Sequence, residues 1–124
     1  MSMFFSYKLN ELLNSPLATA WHPHERILAV SSIDGSVSCF SDEGVRLNQM
    51  DVMGPSPCMA MAFHPMKVML ACGFKDGTVS LWNDAVRTTT VGKEVHPGQI
   101  TLTTWSPEGR RLITGDDVRC LVTL

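Results

Sequence analysis

Short apolar runs alternate with turn-forming residues along most of the chain, and this pattern predicts strands. The clearest stretch has apolar runs at Met59–Phe63, Val68–Gly73 and Thr78–Trp82, with Pro65 after the first and Asp76-Gly77 before the third. Runs of this length that are bounded by Pro, Gly and Asp are typical of strands. Asp-Gly is also a strong signal for a tight hairpin, since Gly tolerates a positive φ. The chain is therefore predicted to be all-β.

The same pattern occurs three times at a constant spacing of 42 residues. Each copy has an aromatic residue that is followed by a His-Pro or Ser-Pro pair, and the first two copies share an Asp-Gly turn and a later aromatic residue. Together with a histidine before the third copy, we take these as structural repeat positions: Trp21, Pro23, Asp34, Gly35, Phe40, Phe63, Pro65, Asp76, Gly77, Trp82, His96, Trp105 and Pro107. A period of about 40–45 residues is typical of a β-propeller blade.

The repeat predicts about two and three-quarter blades of four-stranded antiparallel sheet. Residues 1–16 form a lead-in whose segment Phe4–Leu9 could supply a ring-closing strand, and 17–58, 59–100 and 101–124 are blade 1, blade 2 and an incomplete blade 3. Weaker fourth strands are expected over Val45–Met50 and Arg87–Val91. Because propellers close with roughly four to eight blades, we expect the chain by itself to be poorly stable and to dimerise or aggregate.

The repeats resemble the WD-repeat propeller family, whose signature is a Gly-His pair before the first strand and a Trp-Asp pair at the end of the third. Trp82-Asn83 stands where Trp-Asp belongs, and His96 lies nine residues before Trp105, the usual offset of the family's histidine. The resemblance implies a buried set of His, a hydroxyl residue, the turn Asp and the Trp. No copy holds all four, so each blade is expected to depend more on packing than on that set.

The resemblance extends to the N-terminal region of a subunit of intraflagellar transport complex A. It rests on Met3-Phe4-Phe5 followed by Leu9, on the His-Pro pairs, and on Thr-Gly-Asp at 114–116 in place of a third Asp-Gly turn. It implies a non-catalytic protein–protein interaction scaffold that acts in retrograde ciliary transport and ciliary cargo entry. Its expected partners are other complex A subunits and membrane-protein cargo, and its expected location is the cytoplasm, the ciliary base and the axoneme.

Two alternatives remain open at this point. One is a different WD-repeat scaffold, such as a vesicle-coat, chromatin or ubiquitin-ligase adaptor. The other, ranked last, is an enzyme of propeller fold, which would need acids, histidines or metal ligands in the central channel. Binding surfaces are expected at the turns Ile33–Gly35 and Lys75–Gly77 and at the connections Asn48–Pro57 and Gly92–Gly98, because propellers bind partners through their loops.

Composition narrows the function classes. Hydrophobic residues make up 44% of the 124 residues, charged residues 18%, and the net charge is −2, so a disordered tail and a basic nucleic-acid-binding protein are excluded. The longest apolar run has six residues, Cys58–Phe63, against about 20 for a membrane helix. No secretory signal is apparent. The four cysteines lack metal-ligand spacing, and Cys39 and Cys72 are expected to be small buried apolar groups.

Motifs that suggest chemistry all favour structural roles. His22-x-His24 is interpreted as a turn element, because no carboxylate or cysteine partners are suitably spaced. Asp42-Glu43 and Asp116-Asp117 are expected in solvated turns. Trp21, Phe63 and Trp105 are expected to be buried between blades, and Met59, Met61 and Met69 to fill the core, whereas Met50 and Met53 could be exposed. We therefore predict no catalytic residues, no metal site and no cofactor.

Overall fold

The computed structural model describes residues 16–47, 51–83, 87–92, 96–117 and 121–123, and they form three antiparallel sheets. The strands are β1 Pro16–Trp21, β2 Ile27–Ser32, β3 Ser36–Ser41, β4 Val52–Met53, β5 Cys58–Phe63, β6 Met69–Phe74, β7 Val79–Asn83, β8 Arg87–Gly92, β9 Ile100–Trp105, β10 Leu112–Asp116 and β11 Leu121–Thr123. The sheets have the strand orders β1-β2-β3-β4, β5-β6-β7-β8 and β9-β10-β11. Each sheet is thus a meander of consecutive strands, as in a propeller blade.

The first two sheets have the same pairing register. Leu28 pairs with Phe40 in the first sheet, and Leu70 pairs with Trp82 at the equivalent place in the second. The intervening hairpins turn at Gly35 and Gly77, which have φ of +92° and +86°. Because side chains other than Gly rarely adopt such values, the Asp-Gly pairs fix where each hairpin reverses. The prediction of an all-β partial propeller is confirmed.

The observed outer strand agrees with the prediction in the second sheet and differs from it in the first. The observed β8, Arg87–Gly92, coincides with the predicted strand Arg87–Val91. In the first sheet the described β4 is Val52–Met53, which lies beyond the predicted Val45–Met50, and residues 48–50 of that prediction lie outside the described residues. Residues 45–47 do run beside β3, since the Leu47 amide donates to the Cys39 carbonyl at 2.8 Å, but only an isolated bridge forms there. The predicted strand Phe4–Leu9 lies outside the described residues.

The inner strands β1, β5 and β9 pack side by side and bring the three sheets face to face. A large core cluster fills the space between the first and second sheets, and a smaller one joins the second to the third. The middle strands β2 and β6 are almost wholly buried, and a neighbouring strand flanks each of them on both sides. None of the described residues forms a helix that could cross a membrane.

Two groups of core predictions need correction. Phe63 is buried at 7% exposure, as predicted, whereas Trp105 is only half-buried and Trp21 is 46% exposed. The reason is that Phe63 packs on the turn of the preceding sheet, and the described chain has no sheet before β1. Among the methionines, Met61 belongs to the core, but Met59 and Met69 are only half-buried. Met53 is 70% exposed, in agreement with the prediction.

Candidate functional site

Six of the predicted repeat positions meet at one edge of the sheets. They lie at the ends of β1, β5 and β9 and in the turns that follow, and they line an open groove of about 400 Å³: Trp21, Pro23, Phe63, Pro65, Trp105 and Pro107. Each proline is the second residue after its strand and cannot donate to a ladder, so each inner strand ends at the same level. The groove is therefore a product of the repeat itself.

The histidine of the first His-Pro pair joins two sheets. His22 Nδ1 accepts hydrogen bonds from the His24 and Glu25 backbone amides at 3.1 and 2.9 Å. This network assigns the ring proton to Nε2, which donates to the Lys67 carbonyl of the second sheet at 2.9 Å. The Phe63 ring packs against the same imidazole with centroids 5.2 Å apart. Both nitrogens are thus used in holding a turn and a sheet junction, which agrees with the interpretation as a turn element.

The second His-Pro pair repeats this arrangement at the next junction. His64 Nδ1 accepts from the Met66 and Lys67 amides at 3.0 and 3.2 Å, and Nε2 donates to the Gly109 carbonyl of the third sheet at 2.9 Å. Trp105 packs edge-on against the His64 ring at 4.8 Å, and its indole N–H donates to the Ala62 carbonyl at 3.1 Å. The recurrence of the histidine after 42 residues is the sequence signal for this junction. The sequence analysis did not predict the hydrogen bond from His64 to the third sheet.

The tight turns lie at the opposite edge of the sheets. Asp34 Oδ1 accepts from the Ser36 hydroxyl at 2.6 Å and from the Ser36 amide at 2.9 Å, and these bonds lower the pKa of the Asp34 carboxyl. Asp76 Oδ1 likewise accepts from the Thr78 amide at 2.9 Å. The Gly77 carbonyl accepts from the His96 amide at 3.4 Å, so this turn also holds the connection to the third sheet.

The third sheet contains a buried set of hydrogen-bonded polar side chains. This set corrects the expectation of a solvated turn at Asp116 and the expectation that the sheet depends mainly on packing. His96 Nδ1 donates to Asp116 Oδ2 at 3.0 Å, and His96 Nε2 lies 2.7 Å from Thr114 Oγ1. The His96 and Asp116 side chains are fully buried, so Asp116 is not in a solvated turn, although Asp117 is exposed. A register shift between Gly115 and Asp116 places the carboxylate inward, as bulges commonly do. The polar set therefore contributes to this sheet, which was expected to depend on packing.

The aromatic residues Phe40 and Trp82 and the three described cysteines are core residues. Phe40 and Trp82 are buried at equivalent places on β3 and β7. Cys39 and Cys72 are buried as expected, together with Cys58. Burial, followed by the charge of Asp51, raises the pKa of the Cys39 thiol to about 12. A hydrogen bond with Cys58 and burial raise that of Cys72. Thiols in this state are poor nucleophiles.

The buried titratable groups of the described residues take part in contacts within the fold. In the part of the chain that the structure describes, no cluster of three or more His, Cys, Asp or Glu could hold a metal ion. The buried histidines use their nitrogens in internal hydrogen bonds. The acidic pair Asp42-Glu43 lies exposed in a turn, as expected. The surfaces that remain available are the groove, the turns and the clefts between sheets.

Comparison with known proteins agrees with the fold. A family described as the first β-propeller of IFT140 matches residues 2–123. None of the curated proteins that were compared matches the chain. Among solved structures, a WD40 propeller chain of the mitotic checkpoint complex superposes with a TM-score of 0.74 at 15% identity, over 88% of this chain. The present chain covers 33% of that chain. At such identity the likeness shows the fold alone, whereas the family match confirms the resemblance that the repeats suggested.

Proposed function

The chain belongs to the family of the first β-propeller of IFT140, and from this membership we propose that it is a non-catalytic interaction scaffold of intraflagellar transport complex A. In this proposal it contributes to retrograde ciliary transport and to the entry of cargo into cilia. The observation that carries the proposal is the family match, which spans residues 2–123. Propeller scaffolds of this kind typically bind proteins through loops and blade edges.

The geometry of the described residues supports a binding role. The buried histidines are engaged in hydrogen bonds within the fold, as in the His96–Asp116 pair at 3.0 Å. By contrast, large apolar side chains are exposed at the turns and connections, including Ile33 beside the Asp34-Gly35 turn and Met53 on β4. Such residues on loops are suited to contacts with a partner protein. This supports the turn Ile33–Gly35 and the described part of the connection Asn48–Pro57 as candidate surfaces. The proposal also includes the turn Lys75–Gly77 and the connection Gly92–Gly98, because propellers bind partners through their loops.

The proposal extends to partners, location and organisation. The partners would be other subunits of complex A and membrane-protein cargo. The location would be the cytoplasm, the ciliary base and the axoneme, and association with the cilium follows from the family. The three sheets support a division of the chain into a lead-in (1–16), two blades (17–58 and 59–100) and part of a third (101–124).

Affinity purification from ciliated cells tests this function. The protein is tagged and expressed, and the recovered proteins are quantified by mass spectrometry against a tagged WD-repeat propeller from an unrelated scaffold. We expect complex A subunits to be enriched over that control. Equal recovery of complex A by both baits would refute the assignment. Enrichment of a coat, chromatin or ubiquitin-ligase assembly would instead favour the alternative WD-repeat scaffold.

A further inference from the structure

A cleft of about 290 Å³ lies between the second and third sheets. Its walls combine apolar side chains from both sheets with two cations at the turns: Met69, Leu81, Trp105, Leu112, Lys67 and Arg110. This volume is just below the roughly 300 Å³ at which pockets for small-molecule ligands begin. The cleft is therefore of a size for one or two side chains of a peptide. It therefore has an apolar interior next to positive charge.

The two cations of the cleft are exposed and available. In the described part of the chain, neither Lys67 nor Arg110 takes part in an ion pair, whereas Arg26 and Arg46 are paired with aspartates at 3.4 and 3.0 Å. The described residues that line the cleft include no Asp or Glu. An anionic group on a bound partner would meet two cations that form no ion pair with the described residues, which favours association.

The preceding junction offers a comparison within the same chain. One period of 42 residues earlier, the apolar positions of the cleft correspond to Ile27, Cys39, Phe63 and Leu70. Three of them, Cys39, Phe63 and Leu70, belong to the core, and Ile27 packs against it. The positions of Lys67 and Arg110 are taken there by Glu25 and Val68. The repeat can thus be built without the paired cations, so they are not a requirement of the fold.

We propose that this cleft binds a linear segment of a partner protein in which an aliphatic side chain is flanked by carboxylates. The aliphatic group would lie between Leu81 and Leu112, and the carboxylates would contact Lys67 and Arg110. The charge complementarity favours an acidic segment as the occupant, because the apolar walls alone would accept any hydrophobic group. The inference rests on the proposed scaffold function, to which it adds the kind of partner sequence that one surface recognises.

Fluorescence anisotropy with the full chain tests the proposal. The probe is a fluorescein-labelled peptide of about 12 residues with one central leucine between two pairs of aspartates. Lys67→Glu and Arg110→Glu should each weaken binding by about fivefold or more, since charge reversal replaces attraction by repulsion. Arg111→Glu is the matched control, because Arg111 is an adjacent exposed arginine that does not line the cleft. It should change the affinity by less than about twofold.

Peptide variants and a spectroscopic signal complete the test. Replacing the peptide leucine by alanine should also weaken binding about fivefold or more. The indole N–H resonance of Trp105, assigned with Trp105→Phe, should shift on binding, while that of buried Trp82 should not. Circular dichroism confirms that the charge variants remain folded.

Several outcomes would overturn the proposal: no binding by the unmodified chain, equal binding by Lys67→Glu, Arg110→Glu and Arg111→Glu, or equal binding of a lysine-containing peptide. A concentration-dependent dimer in sedimentation velocity that Lys67→Glu dissociates would show a second copy in the cleft and would also overturn it. If Lys67→Glu and Arg110→Glu still recover complex A subunits while the peptide fails to bind, the cleft proposal fails and the scaffold function stands.

Discussion

Replacing His64 by alanine removes the contacts that one side chain makes on both sides of a sheet junction. On its own side, Nδ1 accepts from the Met66 and Lys67 amides, which holds the turn after β5. On the far side, Nε2 donates to the Gly109 carbonyl, and the ring packs against Trp105. His64 is itself buried, so the groups that it leaves behind are poorly placed to find water.

The expected cost follows from these contacts. A buried hydrogen bond contributes about 0.5–1.5 kcal/mol net, and an aromatic edge contact contributes about 0.5–1.5 kcal/mol beyond area burial. We expect His64→Ala to lower the free energy of unfolding by about 2–4 kcal/mol, which is large beside the usual effect of a point mutation.

Two further substitutions separate the two sides of the junction. His64→Asn keeps an acceptor close to the position of Nδ1 and so preserves the turn, but it is too short to reach Gly109. His64→Gln carries an amide N–H closer to the position of Nε2 and so preserves the bond between sheets, but it loses the turn acceptor. Each should therefore cost less than His64→Ala. The matched control is His24→Ala, because His24 is an exposed histidine in the equivalent turn of the first sheet and its side chain makes no hydrogen bond in the described structure; it should change stability by less than about 0.5 kcal/mol.

Urea denaturation followed by circular dichroism gives the free energies of unfolding. Two results would refute the reasoning. If His64→Ala were as stable as His24→Ala, the junction would not depend on the ring. If Asn, Gln and Ala at this position were equally destabilising, the hydrogen bonds on the two sides would not be separable, and packing alone would explain the cost.

Three other predictions concern neighbouring features. Gly109→Ala should cost about 2 kcal/mol or more in urea denaturation, because φ is +76° and the new Cβ would lie 2.2 Å from His64 Nε2; wild-type stability would contradict this. Asp116→Asn should cost about 2–3 kcal/mol and should move the His96 ring resonances in NMR spectra, whereas unchanged resonances would argue against the buried pair. The pKa of the Cys39 thiol is raised from 9.0 to about 12, so between these pH values the folded state retains a proton that the unfolded state loses. The contribution of this thiol to stability is therefore complete below pH 9 and is lost as the pH rises towards 12. Urea denaturation over this pH range checks this, and an equal loss of stability in a Cys39→Ala chain would contradict it.

The strands could be predicted from sequence because their signals are local. Asp34-Gly35 and Asp76-Gly77 define the hairpins, and the apolar runs that flank them have the length of the observed strands. β4 could not be placed, because the connection after residue 45 has no clear alternation and an outer strand lacks a second neighbour to fix its position. An edge strand is set by its one partner strand, here by pairs such as Val37 with Val52.

The contacts between sheets were harder to predict because they depend on side chains far apart in the chain. Trp21 and Trp105 occupy equivalent repeat positions, yet their burial differs with what the neighbouring sheet provides. Asp116 looked like half of a solvated acidic pair. The sequence signals for the buried polar set are the Thr114 hydroxyl two residues before Asp116 and the preceding His96. The register shift on β10 that turns the Asp116 carboxylate inward has no clear sequence signal.

Reconstitution with purified complex A subunits is the most direct test of the scaffold function. The protein is mixed with the recombinant subunits, and the mixture is separated by size-exclusion chromatography with light scattering to determine the mass of each peak. We predict a shared peak whose mass equals the sum of the components, and no such peak with an unrelated WD-repeat propeller in place of this protein. If the folded protein and the folded subunits elute separately at concentrations well above micromolar, the proposed membership in complex A is contradicted.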